Sequence, residues 1–135
     1  MGVTVLDAGV VIALLERRDV HRPAARSALA DARKRGDRII LPASAYSEAL
    51  VGAIRTGSEA RAKVDQFLDE LPALIEPVSR SIAAEAAHLR ASHGRALRLP
   101  DALVLATARV LDAERVVTTD TGLPDIGLRV DVIGT

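Results

Sequence analysis

The chain has 135 residues and a formal charge of zero, from 18 basic and 18 acidic residues, so net charge gives no support for nucleic-acid binding. It contains no Cys, which excludes disulfides, zinc–thiolate sites and cysteine nucleophiles. The length fits a single domain over 1–135. The N-terminus lacks a basic region and the apolar run 10–15 is too short to span a membrane, so we expect a cytoplasmic protein.

Strands and helices are predicted to alternate along the N-terminal half. A short buried strand, Val3–Leu6, leads into an apolar helix, Ala8–Arg17. An amphipathic helix over His21–Arg35 ends at Gly36. The second strand covers Arg38–Leu41, and Pro42 begins a helix that runs to about Arg55.

The same alternation continues in the C-terminal half. The predicted elements are helix Glu59–Glu70, strand Leu74–Pro77, helix Arg80–Ser92, helix Pro100–Asp112 after a polar connection, strand Arg115–Thr118 and strand Leu128–Val132. This order predicts an α/β protein with a mainly parallel central sheet in a three-layer α/β/α sandwich, connected by right-handed crossovers.

Four acidic residues are predicted to meet at the carboxyl edge of this sheet, where α/β proteins bind ligands. Asp7 directly follows the first strand, and Asp120 lies just beyond the fourth. Glu48 is in the second turn of the helix after the second strand, and Asp101 is in the first turn of the helix before the fourth.

Carboxylates that converge in this way repel one another and raise each other's pKa unless a cation neutralises them. Oxygen ligands favour a hard divalent ion, so the sequence predicts Mg²⁺, or alternatively Mn²⁺. Such an ion binds phosphate oxygens and activates water, which points to phosphodiester hydrolysis. Whether one metal ion binds or two stays open.

Each acid also has a purely structural interpretation. Asp7 could cap the following helix, and Asp101 could simply interact with a helix N-terminus. Asp120 could be a turn residue before Gly122, and Glu48 a surface acid. Asp125 could be an additional acid of the site, although a turn role is favoured there. The shared location of the four acids supports the functional interpretation.

Four segments resemble the PIN-domain family, and within it the VapC-type toxins: 5–15, 41–50, 99–108 and 117–120. The first segment contains the first acid with its strand and helix, and the second contains the helix that bears Glu48. The third contains the Leu-Pro-Asp-Ala start of a helix, and the fourth contains the Thr-x-Asp that ends the fourth strand. Together they span nearly the whole chain. One departure is that family members often have Ser or Thr just after the first acid, whereas here Ala8 and Gly9 follow Asp7.

The resemblance implies a Mg²⁺-dependent endoribonuclease that cleaves single-stranded or loop RNA. It also implies a homodimer and inhibition by a small VapB-like antitoxin. The residues carried over are Asp7, Glu48, Asp101 and Asp120 as catalytic acids, the three aspartates as metal ligands, and Thr118 as a neighbour that orients the site.

Two other protein classes compete with this interpretation. A degenerate nuclease fold that only binds a partner would explain the missing hydroxyl after Asp7, but it gives no reason to retain four acids. A phospho-acceptor or phosphatase-like domain would also place acids at strand ends. However, the first strand is not followed by Asp-x-Asp, and the only lysines, Lys34 and Lys63, lie in predicted helices.

Overall fold

The computed structural model describes residues 2–134, which form a five-stranded sheet flanked by helices. The strands are β1 Val3–Leu6, β2 Arg38–Pro42, β3 Ala73–Glu76, β4 Arg115–Thr118 and β5 Val130–Val132. The helices are α1 Ala8–Leu15, α2 Arg22–Arg35, α3 Ala43–Thr56, α4 Ser58–Glu70, α5 Arg80–His93 and α6 Leu99–Val110, with a short 3₁₀ turn at Gly94–Ala96.

The strand order is β3-β2-β1-β4-β5, and each neighbouring pair is parallel. The chain therefore moves outward in one direction from β1 to β3 and in the other from β4 to β5. Because parallel crossovers are right-handed, this reversal assigns α1 to α4 to one face and α5 and α6 to the other. The predicted α/β fold with a parallel central sheet is confirmed.

Most predicted element bounds differ from the observed ones by only one or two residues. The first helix ends earlier, at Leu15, and the last strand is shorter than predicted because only Val130–Val132 pairs with β4. Pro42 is not the first helical residue. It ends β2 in an extended conformation and precedes α3. Proline tolerates this position because its fixed φ near −65° is compatible both with the end of a strand and with the start of a helix.

The core consists almost entirely of Ala, Val, Leu and Ile, as the composition predicts. Val5 on the central strand β1 and Val116 on its neighbour β4 have no exposed surface, and Leu105 on α6 is equally buried. The small residues Ala102, Ala106 and Ala108 are also fully buried, which lets α6 lie close to the sheet and to α5. None of the helices within residues 2–134 combines the length and apolar character needed to cross a bilayer.

Asp37 connects β1 to the turn before β2 at the amino edge of the sheet. Its carboxylate accepts hydrogen bonds from the Thr4 hydroxyl at 2.8 Å, the Gly2 amide at 3.1 Å and Arg35 Nε at 3.0 Å. Burial alone would raise the pKa of Asp37, but these donors outweigh burial and lower it. This acid lies at the opposite edge from the four predicted site residues and has a structural role.

We expect Asp37→Asn to destabilise the protein by about 1–3 kcal/mol at neutral pH, because charge-assisted hydrogen bonds are lost. A lowered folded pKa means that the ionised form stabilises the fold above the unfolded pKa of 3.8, and that this contribution is lost as pH falls through the folded value. Urea unfolding should therefore show that the difference in unfolding free energy between the wild type and Asp37→Asn is smaller near pH 3 than at neutral pH. Asp31→Asn, a change at an exposed position, is the control. An equal loss of unfolding free energy in both variants would contradict the structural role of Asp37.

Candidate active site

The candidate site lies where the strand order reverses, between β1 and β4. At such a reversal the crossovers leave on opposite faces, so a crevice opens outside the carboxyl ends of the two strands. Asp7 follows β1 directly, and its backbone N–H donates to the carbonyl of Val117 on β4 at 3.0 Å. The carboxyl ends of both strands are thereby held together, and Asp7 lies between them.

The buried Thr118 hydroxyl joins two of the acidic residues. It donates to Asp7 Oδ2 at 2.7 Å and accepts from the backbone N–H of Asp120 at 3.0 Å. The other Asp7 oxygen, Oδ1, accepts from the Ala8 N–H at 2.7 Å and caps α1. Asp7 is therefore both a helix cap and a site acid with a fixed side-chain orientation.

Asp120 forms a turn as well as contributing to the acidic rim. Its Oδ1 accepts from the Gly122 N–H at 2.7 Å. Asp125 makes a similar contact with the Gly127 N–H at 2.9 Å, but it is exposed and does not affect the pKa of the site acids. The turn role favoured for Asp125 matches this geometry. Asp120 also stabilises a turn, but in addition it lies close enough to Asp101 to raise the pKa of that residue.

Asp101 and Glu48 belong to the same group of acids. Asp101 lies in the first turn of α6; burial raises its pKa, and the charges of Asp120, Asp7 and Glu48 raise it further. Burial also raises the pKa of Glu48 on α3, with a contribution from Asp7. The structure thus brings the other three predicted acids within electrostatic range of Asp101, while the catalytic and metal-binding roles of all four stay predictions.

Arg98 is a residue of this rim that the sequence analysis missed. It immediately precedes α6, and its charge partly offsets the rise in the pKa of both Glu48 and Asp101. Within residues 2–134 the exposed Arg98 side chain forms no ion pair. The sequence contained one indication of this: Arg98 stands three residues before Asp101, so both residues lie at the N-terminal end of the same helix.

The donor set fits a hard cation that keeps most of its own water. In the part of the chain from Gly2 to Gly134, no three acidic or histidine side chains lie close enough together to hold a metal ion by themselves. Mg²⁺ is commonly bound by one or two carboxylates together with water and substrate phosphate, so it needs no closed protein cage. Here the charges of Asp120, Asp7 and Glu48 disfavour ionisation of the partly buried Asp101, and a divalent cation relieves this repulsion.

We expect Asp101→Asn to raise the melting temperature of the metal-free protein by roughly 2–6 °C at neutral pH, because it removes a carboxylate that is partly buried among like charges. A raised folded pKa means that ionised Asp101 costs stability at neutral pH. That cost disappears as pH falls through the folded value towards 3.8. Thermal unfolding in EDTA at neutral pH and near pH 3 measures this, with exposed Asp69→Asn as the control. If Asp101→Asn still raised the melting temperature near pH 3, the charge of Asp101 would not be the cause of the stabilisation.

Comparison with known proteins agrees with this fold. The PIN domain family matches residues 4–128. A toxin–antitoxin complex from Klebsiella pneumoniae contains a chain 25% identical to this one, with a TM-score of 0.69 and 87% of each chain covered. No curated protein sequence matches the chain significantly.

Two more distant structures share the fold. FitAcB from Neisseria gonorrhoeae is 22% identical, with a TM-score of 0.69, and the match covers 95% of this chain and 96% of that one. VapBC2 from Rickettsia felis, bound to a DNA fragment from its promoter, is 16% identical, with a TM-score of 0.77 and coverage of 98% and 99%. A family match over nearly the whole chain, together with these folds, leads to one conclusion: the chain belongs to the PIN-domain family.

Proposed function

We propose that this chain is a Mg²⁺-dependent endoribonuclease and the toxin half of a VapBC-type toxin–antitoxin pair. The observation that carries the proposal is the meeting of Asp7, Glu48, Asp101 and Asp120, from four separate segments, at the reversal of the strand order. Burial and neighbouring carboxylates raise the pKa of Glu48 and of Asp101, so ionisation of these two acids disfavours the fold and their arrangement calls for a cation. The similarity to the Klebsiella pneumoniae complex supports the toxin assignment.

In this proposal the acids divide into two roles. Asp7, Asp101 and Asp120 would hold Mg²⁺, or Mn²⁺, partly through the ion's own water molecules, because no three acidic side chains within residues 2–134 lie close enough to bind it by themselves. When bound, the ion would stabilise negative charge on the scissile phosphate and favour ionisation of the attacking water. Asp7 keeps its orientation because Thr118 and the Ala8 N–H occupy one lone pair on each of its oxygens. The raised pKa of Glu48 suits its carboxylate to accept the proton of that water as the water oxygen bonds to phosphorus and the bond from phosphorus to the leaving oxygen breaks.

Arg98 is proposed to contact a phosphate of the RNA. Its guanidinium is exposed at the acidic rim and forms no ion pair within residues 2–134, which leaves its donors available. We expect Arg98→Ala to raise KM for RNA about 10-fold through loss of one charge-assisted contact, with a smaller change in kcat. Arg95→Ala, in the exposed turn before α6, is the control, and an equal effect of both changes would indicate only a general loss of charge.

A groove between α1, α3 and α4 supports an antitoxin partner. It has a volume of about 390 Å³ and a mainly apolar lining that includes Ile12, Ala53 and Val64, and it reaches Glu48. A segment of a VapB-like antitoxin bound here would cover apolar surface and end beside the acidic site. Size-exclusion chromatography with light scattering, on the chain alone and with the product of a neighbouring short reading frame, would test both the proposed homodimer and the complex.

The decisive experiment is RNA cleavage by the purified protein with Mg²⁺ and with EDTA, on single-stranded and stem-loop RNA. We expect cleavage that requires the metal, and a melting temperature that rises when Mg²⁺ is added. The alternative is a degenerate PIN-fold interaction module that has lost catalysis. Absence of cleavage together with absence of Mg²⁺ binding by calorimetry would overturn the enzyme proposal in favour of that module.

A further inference from the structure

Gly9 and Thr119 occupy the same small space beside the acidic site. Gly9 is the second residue of α1, two positions after Asp7. A Cβ placed on Gly9 would stand 2.2 Å from the Thr119 hydroxyl oxygen and 3.4 Å from both Thr119 Cβ and Cγ2. The first distance is far below any van der Waals contact, so the Thr119 hydroxyl lies where a side chain of residue 9 would be. A residue larger than Gly at position 9 must displace this hydroxyl.

The backbone around Thr119 is anchored on both sides. Before it, Thr118 bonds Asp7 and the Asp120 N–H through its hydroxyl, and its carbonyl accepts from the Ile133 N–H at 2.8 Å. After it, Asp120 is fixed by the Gly122 N–H. The Thr119 side chain is only half-buried, and it makes no hydrogen bond with any residue from 2 to 134. A hydroxyl that lies against Gly9 and has no hydrogen-bond partner within residues 2–134 is therefore available to a ligand bound at the acidic rim.

We infer that Thr119 is a substrate-contacting residue whose hydroxyl donates to a phosphate oxygen of the RNA, and that Gly9 is required to leave space for it. This inference rests on the proposed function. The chemistry follows from the surroundings: Thr119 precedes Asp120 and contacts Gly9, two residues after Asp7. An uncharged donor there adds no charge to the acids and can bond an anionic oxygen that a cation has brought to the rim. Here Thr119 supplies a hydroxyl next to the first acid, where Ala8 and Gly9 have none.

The test is a double-mutant cycle of Gly9→Ala and Thr119→Ala, measured by RNA cleavage with Mg²⁺, with Thr119→Ser as the conservative variant. Loss of one hydrogen bond to a charged group should lower kcat/KM by about 10- to 100-fold in Thr119→Ala. Gly9→Ala should cause a similar loss by displacing the hydroxyl. The double variant should be no worse than either single variant, because both changes remove the same contact. Thr119→Ser should cleave within about threefold of the wild type, because it retains the donor.

Two results would overturn the inference: wild-type cleavage by Thr119→Ala, or losses in the two single variants that multiply in the double variant. A second readout separates failure of this inference from failure of the proposed function. Thermal unfolding in EDTA should show that Gly9→Ala destabilises the wild type more than it destabilises the Thr119→Ala background, whether or not RNA is cleaved. An unreactive wild type therefore contradicts the ribonuclease proposal, whereas additive unfolding effects contradict the Gly9–Thr119 contact itself.

Discussion

Asp7→Asn is expected to lower Mg²⁺-dependent RNA cleavage by on the order of 10³-fold, comparable to the loss of other groups that stabilise transition-state charge. Asp7 Oδ1 accepts from Ala8 and Oδ2 accepts from Thr118, so both oxygens are needed as acceptors. An amide retains only one acceptor. Its NH₂ group would face either the Ala8 N–H, which is also a donor, or the Thr118 hydroxyl, which would have to turn from donating to accepting. The substitution therefore removes the negative charge and disturbs the orientation of the side chain together.

The matched control is Asp125→Asn, because Asp125 also accepts a backbone N–H in a nearby turn but is exposed and outside the acidic group. Cleavage should be measured by gel assay over a Mg²⁺ titration, with circular dichroism to show that both variants are folded. Full activity of a folded Asp7→Asn variant would remove Asp7 from the site. An equal loss in Asp125→Asn would show that the assay responds to any carboxylate near this loop.

Thr118→Val is expected to lower cleavage by about 10- to 100-fold, as removal of a group that orients a metal ligand commonly does. It should also cost about 1–3 kcal/mol of unfolding free energy. Valine has the shape of threonine without the hydroxyl, so the core packing around this fully buried side chain stays the same. Asp7 Oδ2 then loses its donor, and the Asp120 N–H is left without its acceptor.

Thr4→Val provides a closely matched control. Thr4 is a buried strand threonine whose hydroxyl donates to an aspartate, Asp37, but at the opposite edge of the sheet. Both variants should lose stability in urea unfolding, whereas only Thr118→Val should lose cleavage measured well below its melting temperature. Parallel losses of activity in the two variants would show that activity follows stability alone, and Thr118 would then have no orienting role.

The fold class could be predicted from sequence because the strands are buried on both faces and are separated by amphipathic helices. Short apolar runs such as Val3–Leu6, followed directly by helical patterns, favour parallel strands with helical crossovers. The location of the acids also followed from local order. Asp7 comes directly after a strand, and a residue in that position must lie at the carboxyl edge whichever strands are neighbours. The same reasoning placed Glu48, Asp101 and Asp120 at that edge.

Strand order and side-chain partners were decided only by the tertiary structure. The contact between Thr118 and Asp7 joins residues 111 positions apart, and it exists because β1 and β4 are neighbours at the reversal of the sheet. Local sequence does not encode this pairing, since it depends on which buried faces pack together. Pro42 was assigned to a helix for a related reason: its fixed φ suits both a strand end and a helix start, and only the ladder with β3 distinguishes them.

The sequence by itself therefore determined a parallel α/β fold and the edge at which four carboxylates collect, because both follow from patterns within single elements. The tertiary structure decided how that edge is built. It separated Asp37, an acid that stabilises the amino edge, from the acids of the site. It also revealed Arg98 within electrostatic range of Glu48, and the Thr119 hydroxyl in the space that Gly9 leaves. These relations arise between segments distant in the chain, where packing of the whole molecule fixes the distances.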